Sequence, residues 1–452
     1  MQTVGDLVGF APRSTGSPGG LKAAGYVAGR FRKAGLTNVH YETATSHSWD
    51  AGNYSLRVGN TPIDAFPITH SFIKSAPGTS TLGSSGRTAE VLDIGDSASV
   101  PNSVKGKWVM FNLKFKVPQA ALLPLSTFLW DPKFSVLDPS RMLAANPYIT
   151  NQADVVDAAA KAGAAGVIGV LDDYFESNKY RNEDVTTMRM PGMWITKKTG
   201  ARLRSLLPAN ARRATMKLTV KRRAVTARTV VGFLEGKTKD TVMVQSHHDS
   251  LGPGAVEDGT GTAAVIGLAD YYGARAAAGE RRDKTLMFVT MDTHFSGYES
   301  HEALLKKYIT GKQTPYRIVA NAAIEHIAKR AVIAKDGSLK TLNETETRGI
   351  FQNLSQLLQH KLNGLVVKHD LRSTAVLNAP LARQILGEIP TDAVFMFSSR
   401  VPTASLISGP LYLYDEADTL DKVDSKQMRP VTSFYADLID VFDTTPSDRL
   451  AG

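Results

Sequence analysis

VMVQSHHDSLGPGAVEDGTGTAAV, residues 242–265, is the stretch whose reading decides the fold. An apolar run breaks off into His247, His248 and Asp249, as a short buried strand does when it reaches an open end. Side chains of an extended chain alternate with period two, so His247 and Asp249 share a face. That spacing lets one act as a ligand and the other orient it by accepting the free ring N–H. The glycines that follow let the backbone fold Glu257 back toward the strand end, while Thr260 or Asp258 can cap the next helix. A phosphate cradle is disfavoured, because the loop lacks both the lysine of GxxxxGK[ST] and the dinucleotide-type glycine spacing.

Strand and helix patterns alternate on both sides of this stretch. TVVGFLEG (229–236) precedes it, and TGTAAVIGLADYYGARAA (260–277), TLMFVTMD (285–292), ESHEALLKKY (299–308) and YRIVANAAIEHI (316–327) follow. Such alternation predicts an α/β fold with a mainly parallel sheet flanked by helices. Ligands of such sheets sit at the carboxyl ends of the strands. His247, His248, His294 and His326 all follow strand-like runs and lie beside Asp249, Glu257, Asp258, Asp292 or Glu325, a composition suited to a metal or acid–base site. The other six histidines lack such neighbours and are read as structural.

Toward the N-terminus, LKAAGYVAGRFRKA (21–34) places Ala24, Val27, Phe31 and Ala34 on one helical face and stops at Gly35. Short β-like runs then begin near Gly59. An Ala-rich helix followed by the buried run from Gly166 predicts a βαβ-like element within residues 153–171. The expected organisation is a catalytic domain from residues 1–58 and 225–452, interrupted by a β-rich inserted domain at 59–224. The apolar segment from Val117 to Tyr148 lacks clean periodicity. It is expected to overhang the strand ends and shape a pocket, with Trp130 and Phe134 near His247.

The 452 residues include no cysteine, which excludes disulfides, thiol nucleophiles and Cys-type metal sites. Any metal must be held by His, Asp or Glu. Net charge is +10, but the basic pairs are short and scattered, so a solvated surface is expected and no nucleic-acid partner. No stretch approaches the ~18 apolar residues of a membrane span, and the start has no basic and apolar leader pattern. The expectation is a cytoplasmic protein with no membrane partner, and a homo-oligomer is compatible with the composition.

Residues 242–265, LMFVTMD, the strand ending in IEH and VPTASLISGPLYLYDEADTLDKVD (401–424) together resemble the zinc aminopeptidase family. That family includes bacterial secreted aminopeptidases, glutamate carboxypeptidase II, the transferrin receptor and glutaminyl cyclase. VKGKWVMF (104–111), AAAKAGAAGVIGV (158–170) and PGMWITKKTGARL (191–203) resemble the protease-associated domain that many members carry as an insertion. APRSTGSPGG (11–20) matches the family's start.

The resemblance implies a metal held by His247, Glu257 and Glu325, with Asp249 orienting His247. The family's general-base position falls on His294. Two ligands of a second ion fall on Phe295 and on Tyr414, four residues before Asp418. Phenylalanine cannot coordinate, so one divalent ion is expected: zinc by family, with manganese and iron also suited to the donor set. His248 and His326, next to predicted strand ligands, are expected to point to the opposite face.

These expectations describe a metal-dependent hydrolase of an amide or related C–N bond, with catalytic residues His294 and Asp249. Its substrate would be a small-molecule amide, a modified amino acid or a short peptide. Two alternatives stand beside it. One is a non-catalytic binding protein on a degenerate aminopeptidase fold. The other makes His294 a ligand with His247 and one acid, the donor set of non-haem iron enzymes.

Overall fold

The computed structural model describes every residue except 73–76, 145–146, 182–187, 388 and 452. Its centre is a run of four parallel strands, in the order Thr285–Met291, Asp240–His247, Arg317–Ile324 and Thr403–Ser408. Each is buried on both faces along nearly its whole length, as a parallel sheet covered by helices requires. Helices Pro18–Lys33, Gly259–Ala277 and Ser425–Thr444 pack one face through Val27, Phe31, Val265, Leu268, Phe434 and Leu438. The other face packs Met243, Met287 and Val289 against Leu304, Tyr308 and Met396. All four parallel strands end on the same side, and the loops leaving those ends carry the polar side chains described below.

Two 22-residue strands, Thr37–Val58 and Arg213–Leu234, pair antiparallel along nearly their whole length. At about 3.3 Å per residue each reaches roughly 70 Å, longer than one sheet needs. The second strand pairs with Thr285–Met291 through Val230–Leu234, and with strand Arg87–Gly95 through Arg213–Met216. The inserted unit is therefore continuous with the main sheet, and the boundary expected at residue 225 falls inside a strand. Within the insert, Arg87–Gly95, Trp108–Asn112, Gly166–Leu171 and Gly192–Thr196 form a parallel sheet. Helix Gln152–Lys161 makes the crossover into Gly166–Leu171 as a βαβ unit.

The segment from Val117 to Tyr148, of which 145 and 146 lie outside the described residues, divides in two. Ser126–Trp130 adds an edge strand beyond Thr374–Asn378, and Trp130 Nε1 donates to Asp370 at 3.1 Å. This strand is five ladder steps from the one that ends at His247, roughly 24 Å at about 4.8 Å per step. Phe134 is 73% exposed. The expectation that Trp130 and Phe134 stand near His247 is thus corrected: an unpaired sheet edge captured the first, and the second lies in the loop that leaves it. Tyr148, at the other end of the segment, does reach the strand ends.

Candidate metal and acid–base site

Asp240–His247 ends on its own histidine, whose ring is fully buried. His247 Nδ1 lies 3.1 Å from the Asp249 carbonyl and 3.2 Å from Asp249 Oδ1. Both can only accept, so Nδ1 carries a proton and Nε2 faces Glu257; burial lowers the ring's pKa, but Asp392, Asp249 and Glu257 push it well above its ordinary range. The Asp249 carboxyl stays below its ordinary range: burial pushes it up, but the hydrogen bond and charge of His247 outweigh that. Its other oxygen accepts from Phe295 N at 3.2 Å, which ties the loop carrying His294 to the strand end.

The glycine loop does fold Glu257 back. Asp418 holds it there, accepting from Val256 N and Glu257 N at 3.0 and 2.9 Å. Arg13, fully buried, braces the same loop by donating to the carbonyls of His248, Pro253 and Gly254 at 2.8 to 2.9 Å. Asp258 turns the other way and caps helix Gly259–Ala277 through Gly261 N. Glu257 Oε1 comes to 3.1 Å from His247 Nε2, and Oε2 to 2.6 Å from His326 Nε2. Burial pushes the Glu257 carboxyl up, but His326 and His247 hold it well below its ordinary range.

The approach of His326 reverses a sequence expectation. Strand Arg317–Ile324 stops two residues earlier, and His326 adopts a left-handed backbone with φ 54°. Period-two alternation does not extend past the strand end, so the ring swings toward Glu257 instead of away from it. Its Nδ1 lies 2.8 Å from the Ser408 carbonyl, an acceptor, which turns Nε2 toward Glu257. Tyr148 of the inserted unit places its hydroxyl 2.8 Å from the same Nδ1 and stacks on the ring. Burial lowers the His326 pKa, but Glu257 outweighs it and pushes it up to about 10.

Glu325, the expected third ligand, faces elsewhere. Its Oε1 accepts from Thr391 Oγ1 at 2.7 Å and Ser405 Oγ at 3.1 Å. Burial, reinforced by Asp392, pushes its carboxyl up to about 8, so it is largely protonated at neutral pH in the absence of a cation. The structure thus brings His247 and Glu257 together with His326, and leaves Glu325 as a wall of the recess.

His294 sits in a single turn of 3-10 helix that follows Thr293, a residue with φ 70°. Its ring stacks on that of His247 with centroids 4.2 Å apart. Nδ1 lies 2.9 Å from Asp392 Oδ1, and Nε2 lies 3.6 Å from Glu257 Oε1. Asp392, on the loop before helix Val394–Ser398, also sends Oδ2 to 3.7 Å from His247 Nε2. Burial raises its carboxyl, yet His294 and His247 hold it far below the ordinary range. No motif in the sequence marked Asp392, since nothing near it in the chain carries chemistry. His248 turns to the neighbouring strand, with Nδ1 3.1 Å from Thr290 Oγ1.

Two overlapping groups can therefore hold a cation: His247, Glu257 and His326, or His247, His294 and Asp392. His247 Nε2, both Glu257 oxygens, His326 Nε2 and Asp392 Oδ2 are buried without a well-formed hydrogen bond, despite the short separations. In the metal-free protein, protons on the two imidazoles lie between them and Glu257 at 2.6 and 3.1 Å, and a bound divalent ion would displace those protons. The donor set fits a divalent ion, two imidazoles and a carboxylate being a known catalytic zinc set. Where the resemblance places ligands of a second ion, Phe295 and Tyr414 are buried, their rings edge to face at 6.4 Å.

Residues 229–438 match peptidase family M28. The matching segment contains His247, Glu257, His294, His326 and Asp392, and the family's reaction is hydrolysis of an amide bond. Three solved structures share the fold over almost the whole chain. A peptidase M28 precursor from Shewanella amazonensis SB2B is 17% identical with TM-score 0.68, covering 98% of this chain and 92% of its own. A zinc aminopeptidase from Bacillus subtilis is 14% identical with TM-score 0.64, covering 100% and 96%. An aminopeptidase from Aneurinibacillus sp. strain AM-1 is 19% identical with TM-score 0.59, covering 97% and 92%. No curated protein sequence matches the chain significantly.

Proposed function

We propose that this chain hydrolyses an amide bond at a mononuclear centre held by His247, Glu257 and His326, with His294 and Asp392 as its acid–base pair. The observation that carries the reading is the convergence of buried His247, Glu257 and His326, whose ligand atoms lie within 4.8 Å of one another, each ring turned by an acceptor on its far nitrogen so that Nε2 faces Glu257. Zinc is the proposed ion, by similarity to the Bacillus subtilis enzyme. Bound there, it supplies a Lewis acid for the scissile carbonyl and lowers the pKa of an attacking water.

The chain's own residues do the rest. His294 accepts the proton of the attacking water on Nε2, while Asp392 Oδ1 accepts the Nδ1–H and stabilises the imidazolium that results. The same nitrogen then returns the proton to the departing amine. Asp249 keeps His247 in the coordinating tautomer, and Asp418 and Arg13 hold the loop that presents Glu257. The proposed substrates are small-molecule amides and short peptides.

The test is metal content together with hydrolysis of acyl and aminoacyl anilides. The expected result is about one zinc per chain, with activity lost to a chelator and restored by zinc. Two ions per chain would refute the mononuclear centre. A chain that binds no divalent ion would favour the non-catalytic binding protein.

A further inference from the structure

The turn that carries His294 has little of its own to hold it in shape. It is three residues long and lies between Thr293, with φ 70°, and Gly297, with φ 123°. A single turn does not fix its own dihedrals, because nucleating it costs more than one closing hydrogen bond returns. Its geometry is therefore set by what grips it from outside, and the grips converge on Phe295 and Ser296, which follow His294. Phe295 N donates to Asp249 Oδ2 at 3.2 Å, and the hydroxyls of Ser296 and Ser46 lie 2.8 Å apart. The Phe295 carbonyl meets His70 Nε2 at 2.5 Å. His70 comes from the inserted unit, 225 residues away in the chain. A carbonyl only accepts, so Nε2 carries the ring proton and donates it. Burial, with His47 beside it, pushes the His70 pKa down to about 3, so the ring is neutral and its Nδ1 is bare. That nitrogen is buried without a partner. An apolar ring would fill the same space without that cost, so packing alone does not account for a histidine here. The backbone around it is anchored apart from the turn: Met188 N donates to the His70 carbonyl at 3.0 Å, and Phe72 N to that of Met190 at 2.7 Å.

We propose that His70 is a positioning residue for His294, and that through its bond to the Phe295 carbonyl the inserted unit sets the turnover of the amide hydrolysis. The proposal rests on the hydrolase reading. With Phe295 held on both sides, its N–H by Asp249 and its C=O by His70, the chain leaving His294 has one direction. The imidazole then stays stacked on His247 with Nδ1 on Asp392. Without the donor the Phe295 carbonyl is buried and unpaired, and the turn shifts to satisfy it. His294 shifts with it, and a displacement of about 1 Å at a proton-transferring group costs on the order of 10²-fold in rate. His70 does not line the recess that holds His294 and His326, so its loss leaves substrate binding alone.

The experiment compares zinc-loaded His70→Phe, His70→Asn and His70→Gln with the parent in kcat and KM for acyl and aminoacyl p-nitroanilides. Phenylalanine keeps a ring and removes the donor, asparagine keeps an amide too short to reach, and glutamine places its amide where Nε2 stands. In the first two, kcat per zinc-loaded chain should fall about 10- to 100-fold with KM within about twofold, and in His70→Gln it should return to within about threefold of the parent. In a His294→Gln background, His70→Phe should change kcat by less than about twofold, because a residue that acts through His294 has nothing left to position. His70→Asn serves where His70→Phe fails to fold, which a thermal melt reports. An unchanged kcat, no recovery in His70→Gln, or an undiminished further loss in the His294→Gln background overturns the positioning role and leaves the hydrolase reading intact. If the parent cleaves no anilide, the hydrolase reading fails alone and NMR of histidine-labelled protein decides the positioning. The His294 ring signal, assigned by its loss in His294→Gln, should shift or broaden in His70→Phe and keep its place in His70→Gln. A signal unmoved in both refutes it.

Discussion

Glu325→Gln separates the ligand set proposed from the structure from the one the sequence suggested. In the metal-free protein the Glu325 carboxyl accepts from Thr391 and Ser405, and burial, with Asp392 nearby, pushes its pKa from 4.5 up to about 8. The folded state thus keeps a proton that the unfolded chain gives up. Stability is unaffected by this group below about pH 4.5, falls as pH rises toward 8, and levels off above. At about 1.4 kcal/mol per pH unit, the cost at pH 7 is on the order of 3 kcal/mol. Glutamine keeps an acceptor for both hydroxyls and has no proton to lose, so the variant escapes that cost. Urea unfolding of both metal-free proteins should show a stability gap in favour of Glu325→Gln that widens by about 2 to 3 kcal/mol between pH 5 and pH 7. Zinc content of the variant should match the parent, whereas His326→Ala should lose the ion. A gap that stays constant with pH, or zinc lost from Glu325→Gln and kept by His326→Ala, would refute the reasoning.

Three further outcomes follow from the same geometry. His294→Gln should lower turnover by on the order of 10² to 10⁴ with zinc content unchanged, measured by kinetics and elemental analysis on one preparation; loss of zinc would instead make His294 a ligand. Asp249→Asn should weaken zinc about 10- to 100-fold in a competitive chelator titration, because it disturbs the group that fixes the His247 tautomer. Arg13→Met takes the guanidinium donor from the buried carbonyls of His248 and Gly254 and the part-buried carbonyl of Pro253. It should cost more than about 3 kcal/mol in urea unfolding, and unchanged stability would show that water replaces the guanidinium.

Local pattern was enough for the α/β class, the parallel strands and the crossover helix of the insert, because burial on both faces writes continuous apolar runs into the chain. It was also enough to pair His247 with Asp249 and to bring Glu257 back to the strand end, since those depend on neighbours in sequence and a flexible glycine loop. What lies beyond a strand end was not legible. Alternation predicted that His326 would turn away, and the left-handed residue that ends the alternation turned it inward. Asp392 enters from a loop 98 residues after His294, and Tyr148 from the inserted unit, each delivered by long-range packing that leaves no periodic trace. Trp130 shows the converse: an apolar segment without clear period was taken up by an unpaired sheet edge, which exists only once the sheet has formed. Sequence determined which side chains could do chemistry at the strand ends, because residue type and nearest neighbours are local properties. Only the tertiary structure decided which of them face one another, because that depends on where each strand stops and what packs across it.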